Sequence, residues 1–227
     1  MSILKSAQSS LTRCKNTLQQ FYYEAADATP INQEELKQRM NYFDWIYLKT
    51  GFVNNEKIFA IPNNAIPGKI NAFIYKYLHK DKRITVDKYY RVNSAGDYFL
   101  STKKSSVPQS DVDTLIHSLV LRRGHVIWVH FGFNVGNEFG GKHPALILKN
   151  MKNVLSVLPL STQTPSQLAI NIEIDKVYGF PLIMRWGNIT RIVPISIQRI
   201  DFNNIIGSVR NNVLKEVDEK LKKHLKL

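Results

Sequence analysis

Residues 122–163 read RRGHVIWVHFGFNVGNEFGGKHPALILKNMKNVLSVLPLSTQ. Arg122, Arg123 and Gly124 form a basic turn ahead of residues 126–131, whose alternation is that of a strand. A glycine-rich loop follows, with Gly132, Gly136, Gly140 and Gly141. Lys142, His143 and Pro144 then open a second apolar strand over 145–148. A third strand, 154–160, runs into Ser161, Thr162 and Gln163. The glycines are spaced too irregularly for a dinucleotide fingerprint or a P-loop, and they suit a loop that bends over a site.

Beyond this stretch the period stays that of strands at 170–174, 182–185 and 189–195. Many short strands with tight turns favour a small, strongly bent barrel. A helix is predicted over 208–225, with Val209, Val213, Leu214, Val217, Leu221 and Leu225 as its apolar stripe. Lys220, Lys222 and Lys223 near its end complement the helix dipole.

The N-terminal side has a helical period. Leu11, Cys14, Leu18, Phe21 and Tyr22 share one face, and a turn at residues 27–30 ends that helix. Asn32 and Glu35 form a capping pair for a second helix carrying Leu36, Met40, Phe43, Ile46 and Tyr47. The two are expected to pair as an antiparallel hairpin. Residues 58–61 read as a short strand, and Pro67-Gly68 as the start of a helix carrying Ile70, Phe73, Ile74, Tyr77 and Leu78. Residues 76–91 are basic and aromatic, 101–108 suit a linker, and 111–120 suit one more helix. The expected class is α+β, with an α-rich extension over 1–104 and a barrel domain with a C-terminal helix over 105–227.

Of 227 residues, 44% are hydrophobic, enough for a sizeable core. No apolar run reaches membrane-spanning length and the N-terminus lacks a secretory pattern, so a cytoplasmic protein without membrane attachment is expected. Cys14 is the only cysteine, which excludes an intramolecular disulfide. His79, His117, His125, His130, His143 and His224 show no metal-binding spacing, so neither metal nor cofactor is expected. The net charge of +13 favours polyanionic partners. It is spread over both halves, with 16 Lys and Arg against 9 acids in residues 1–110 and 15 against 9 in 111–227.

The stretch 122–163 resembles the PemK/MazF family of toxin endoribonucleases. There, a strand opened by a basic residue and a glycine runs into a V-G-x-E-x-x-G-x-R-P loop, and the third strand ends in a small hydroxyl residue. Here the loop is Val135-Gly136-Asn137-Glu138-Phe139-Gly140-Gly141-Lys142-His143-Pro144 and the hydroxyl is Ser161. The likeness continues through a strand at 189–195 and the final helix, covering about residues 120–227.

The resemblance implies an SH3-like barrel and metal-independent cleavage of single-stranded RNA, such as mRNA, to 2′,3′-cyclic phosphate and 5′-OH ends. It also implies a homodimer, an RNA groove at the dimer interface and a cognate antitoxin protein that blocks it. His143 stands where the family has arginine. A histidine can act as general acid or base, with Lys142 or another cation on the phosphate, or it can simply pack at the strand's start. Ser161, or Thr162 if the register slips by one, would hydrogen-bond a phosphate oxygen or cap the strand end. Arg185, in Leu-Ile-Met-Arg-Trp-Gly-Asn, resembles an arginine of the PemK branch and is a candidate phosphate clamp or a surface ion pair; Gly187 replaces that branch's aspartate. Glu138 matches the loop glutamate, as a base, as a residue orienting His143, or as a loop-holding group. Phe133 and Phe139 are candidates for stacking RNA bases or for packing the loop, and Arg123 for RNA binding. The alternatives are a non-catalytic RNA-binding or regulatory module on the same fold, and a gyrase-type inhibitor.

Overall fold

Two long helices, α1 (Ile3–Asp27) and α2 (Gln33–Asn54), occupy the N-terminal end, as the steps of three and four predict. The computed structural model describes residues 3–27, 33–133 and 139–226. The predicted turn residues 28–30 and the Asn32 cap lie outside them, as does the connection of the expected hairpin. The apolar stripes of these helices are largely uncovered: Leu11, Leu36, Met40 and Tyr47 are exposed, while Leu18, Phe43 and Ile46 are half-buried. The chain falls into two compact units, Met1–Gly51 and Phe52–Leu227.

The second unit starts with β1 (Lys69–Ile70), α3 (Ala72–Lys76), α4 (Lys80–Tyr89), β2 (Tyr90–Val92), β3 (Tyr98–Leu100) and α5 (Gln109–Leu119). The strands make a small antiparallel sheet in the order β1-β3-β2. The helix expected from Pro67 begins later because Asn71 caps it, its side-chain oxygen accepting the Ile74 N–H at 2.9 Å. Residues 58–61 form no strand; Ile61 is buried just before a 3-10 turn at Asn63–Ala65. The expected linker is pinned to the fold instead. Asn63 Nδ2 donates to the carbonyls of Lys104 and Val107, both at 2.9 Å, and Val107 is buried.

There follow β4 (His125–Gly132), β5 (Gly141–Asn150), β6 (Val154–Ser161), β7 (Asn171–Ile174), β8 (Arg185–Asn188), β9 (Val193–Ser196), β10 (Gly207–Ser208) and α6 (Asn211–Leu225). They form a curled antiparallel sheet, β10-β4-β5-β6-β8-β7, with β9 also pairing the first half of β6. The two edges meet where Tyr178 and Ser208 exchange backbone hydrogen bonds of 2.8 and 3.0 Å. The fold is mixed α/β, with N-terminal helices, a curled sheet and a C-terminal helix.

The central strands are apolar on both sides because both sides are covered. Ile127, Val129, Ala145, Ile147, Leu155 and Val157 share one core with Val112, Leu115 and Ile116 of α5 and with Ile66, Ile70, Val86 and Tyr90. Val126, Leu146, Leu158, Leu160, Ile172 and Ile174 share another with Val213 and Val217 of α6. Residues 61–107 thus build part of the sheet's own core.

Three predicted elements move. The strand expected at 182–185 is Arg185–Asn188, and Leu182, Ile183 and Met184 are exposed. The strand expected at 189–195 is broken by a 3-10 turn, Ile189–Arg191, because Asn188 Oδ1 accepts from the Thr190 N–H at 2.9 Å and its hydroxyl at 2.7 Å. The last helix begins at Asn211 because Gly207 and Ser208 are engaged as β10.

Candidate functional site

The ends of β5 and β6 come together through an irregular register. Ala145 pairs with Pro159 and Ile147 with Val157, but Lys149 pairs with Ser156, so Leu148 is an extra, bulged residue. The β5–β6 pairing ends at Ala145 and Pro159, and the bulge gives it the parity that leaves His143 and Ser161 on one face. Without the bulge, Ser161 would share its face with Pro144. On its other edge Ser161 pairs with Trp186 of β8.

His143 and Ser161 therefore share a sheet face, and Phe139 connects them. Its ring lies 4.6 Å from that of His143, and it lines a pocket of about 350 Å³ with Ser161. Trp186, Asn188, Arg191, Pro159, Ile170, Asn171 and the polar loop Gln163 to Gln167 complete the lining, which His143 touches only through Phe139. The Ser161 hydroxyl oxygen accepts the Gln163 N–H at 3.1 Å, which orients it at the strand end. Arg191 is exposed and supplies the pocket's cation among the described residues. Gly132 and Gly141 face each other where β4 and β5 open into the loop; both have positive φ, 111° and 76°, a conformation that favours glycine.

Burial of His143 pushes its pKa below the ordinary histidine value, against a hydrogen bond to the Gly140 backbone that raises it. The imidazole is thus mainly neutral at neutral pH, a state fit to accept a proton. His117, His125 and His130 are likewise lowered, each chiefly by burial. The unfolded chain then binds protons more readily once pH falls below about 6.5. Stability is complete above that value and is lost as pH falls through the lowered folded values, at most ~1.4 kcal/mol per pH unit for each histidine. A melting temperature lower by several degrees at pH 5 than at pH 7.5, with the slope reduced in His125→Gln, is expected. Equal slopes in the two proteins would refute the assignment to histidine.

The remaining sequence candidates lie elsewhere. Arg185 pairs with Ile174 on the opposite face and is 5% exposed. Its Nη1 donates to the carbonyls of Ile183 at 2.8 Å and Pro181 at 3.2 Å, and its guanidinium lies 5.4 Å from the Phe180 ring centroid. It pins the segment before β8 and does not line the pocket. Lys142 points away from the His143 face and is held by the Asp201 carboxylate. Arg123 bonds Asp218 of α6 at 2.6 Å and the Leu148 carbonyl at 3.5 Å, at the far end of β5 from His143. Thr162 is exposed beyond β6, Phe133 is half-buried after β4, and Glu138 lies outside the described residues.

Trp186, Asn188 and Arg191 were not singled out by the sequence reading. The available signal was Gly187: a Cβ there would stand 2.7 Å from Leu158 Cδ2, so Gly187 faces the core and its neighbours face the pocket. Among the described residues, no three His, Cys, Asp or Glu side chains group as a metal site, and no helix is long and apolar enough to cross a membrane.

Among solved structures, the chain is similar to form I of MazF from Deinococcus radiodurans, with 20% identity over 48% of this chain and 98% of that one and a TM-score of 0.39. It is similar to MazE–MazF (form II) from the same organism, with 20% identity over 46% and 95% and a TM-score of 0.36. A third is the Mycobacterium tuberculosis toxin MazF-mt6, with 17% identity over 47% and 98% and a TM-score of 0.36. No curated protein matches the chain. The family model of the PemK-like, MazF-like toxin of type II toxin–antitoxin systems matches residues 122–225, from the basic turn before β4 to the end of α6. That segment of the chain belongs to the PemK/MazF toxin family.

Proposed function

We propose that this chain is a toxin whose 105–227 domain, an SH3-like barrel, cleaves single-stranded RNA without a metal. The observation that carries the reading is the pocket at the β5–β6 end, lined by Ser161, Phe139, Trp186 and Arg191, with His143 beside it against the Phe139 ring. Neutral His143 takes the proton of the ribose 2′-OH. The 2′ oxygen bonds the adjacent phosphorus, the P–O5′ bond breaks, and the leaving 5′ oxygen takes a proton from water, whose hydroxide is neutralised by the proton that His143 then releases. The products are a 2′,3′-cyclic phosphate and a 5′-OH. Ser161 donates its hydroxyl hydrogen to a phosphate oxygen, Arg191 offsets the charge of the phosphorane, and Trp186 and Phe139 stack the flanking bases.

Arg191 takes the phosphate role for which Lys142 and Arg185 were candidates, since both of those are committed elsewhere. The family match of residues 122–225 supports reading the toxin as a cytoplasmic homodimer held in check by a cognate antitoxin. One of the similar structures is a MazE–MazF pair.

The test is incubation of the purified full chain with long single-stranded RNA in EDTA, followed by analysis of the new ends. Cyclic phosphates and 5′-hydroxyls are expected. Arg191→Gln is expected to lower kcat/KM by about 10- to 100-fold, towards the effect of losing one preorganised donor, with an unchanged melting temperature. Arg185→Gln should instead lower the melting temperature. RNA that stays intact but bound would mean a binding module, and DNA damage with intact RNA would mean a gyrase-type inhibitor; either result sinks the ribonuclease reading.

A further inference from the structure

The small sheet ahead of α5 presents an arrangement that the pocket does not use. Residues 52–104 carry ten Lys and Arg against four Asp and Glu, whereas residues 1–51 carry six against five. Within this most basic segment, the pairing register sets Lys69, Phe99 and Arg91 in one cross-strand row, with Phe99 on the central strand. The other face of the sheet is covered except at Val92, at its rim. Tyr98 stacks on Tyr75 of α3, ring centroids 4.1 Å apart, and Ile70 and Tyr90 are buried.

Phe99 therefore turns to solvent. It is 41% exposed, with Lys69 Nζ 5.4 Å from its ring centroid. Adjacent strands lie ~4.8 Å apart, so a ring resting on Phe99 has a cation within reach on either flank. Lys69 also pairs with the half-buried Asp97 at 2.6 Å, while its own side chain stays 54% exposed. Arg91 donates through Nη1 to the carbonyls of Asp87 and Tyr90 at 2.7 and 2.9 Å. Lys76, Lys80 and Lys82 stand exposed on α3 and α4. An exposed phenylalanine alone needs no explanation. One at the centre of a sheet, flanked by cations, matches the chemistry of an unpaired nucleotide: a flat base beside a phosphate.

We propose that this sheet face is a second contact for single-stranded RNA, with a base on Phe99 and neighbouring phosphates on Lys69 and Arg91. The choice of RNA rests on the ribonuclease reading of the pocket. Stacking accepts every base and phosphate contacts carry no sequence, so the face adds affinity for long strands without selecting among them.

The test uses the full chain and a non-cleavable 2′-O-methyl RNA of about 20 nucleotides, longer than the roughly 4–16 that one small domain covers. Phe99→Ala is expected to weaken binding about tenfold or more, and Phe99→Trp to keep it. The double variant Lys69→Gln/Arg91→Gln should reduce the slope of log affinity against log salt by about 1.4, ~0.7 for each lost phosphate contact. Cleavage of a short oligonucleotide that fills only the pocket should be unchanged in all variants. Unchanged affinity in Phe99→Ala overturns the proposal, as does equally tight binding of the wild type to phosphatidylserine vesicles or duplex DNA. Phe99-dependent binding without cleavage of any RNA would leave this surface standing and remove the nuclease reading alone.

Discussion

His143→Ala is expected to lower the rate of RNA cleavage by about 10²- to 10⁴-fold, the span supplied by one positioned general base. The residue is half-buried against Phe139, so the loss has to be separated from unfolding by an unchanged far-UV spectrum and melting curve. The pH profile distinguishes the chemistry from packing. Because burial holds the imidazole below the ordinary histidine value, the basic form dominates at neutral pH. Wild-type activity should be level near neutrality and fall as pH drops below about 6.5 through the lowered value. A general acid would give the opposite limb, with activity rising on acidification. Residual cleavage in His143→Ala within tenfold of wild type would leave the residue a packing role.

Gly207→Val, at a buried position of β10, is expected to give a large loss of stability. A Cβ at Gly207 would stand 2.6 Å from Val177 Cγ1, 2.7 Å from Phe180 Cδ1 and 2.8 Å from the Tyr178 carbonyl oxygen. That carbonyl accepts the Ser208 N–H at the bridge joining the two edges of the sheet, so it cannot retreat without opening the closure. Overpacking of this kind costs ~1–3 kcal/mol. In a chain of this size each kcal/mol shifts the melting temperature by roughly 2–4 °C. A fall of about 2–12 °C on these scales is the expected result. Thermal unfolding checks it, and a melting temperature equal to wild type would show that the edges are not tightly joined there.

Much of the strand frame around the candidate site was legible because its cues are local. The glycines flanking the loop, the Lys142-His143-Pro144 opening of the second strand and the hydroxyl residue ending the third can all be read from the order of residues 122–163. What the sequence missed lay mostly one or two residues away. The strand after residue 181 starts three residues later than its apolar run suggests, so Arg185 points into the core and Trp186 towards the pocket. With a side-chain period of two, such an offset exchanges the buried and exposed sets. The apolar residues 182–184 were misleading because, in this chain, they are exposed.

Three strands and a glycine-rich connection can be read from residues 122–163 alone, because alternation, glycines and turns act over a few residues. Tertiary packing put His143 rather than Pro144 on the face of Ser161, through one bulged residue, Leu148, within the β5–β6 pairing. It also decided that Lys142 is spent on Asp201 and that Arg191 reaches the pocket, because both depend on partners distant in the chain. Strand patterns are local and survive in the sequence. The choice of face, register and ion partner is made by packing between distant segments, which no window of residues contains.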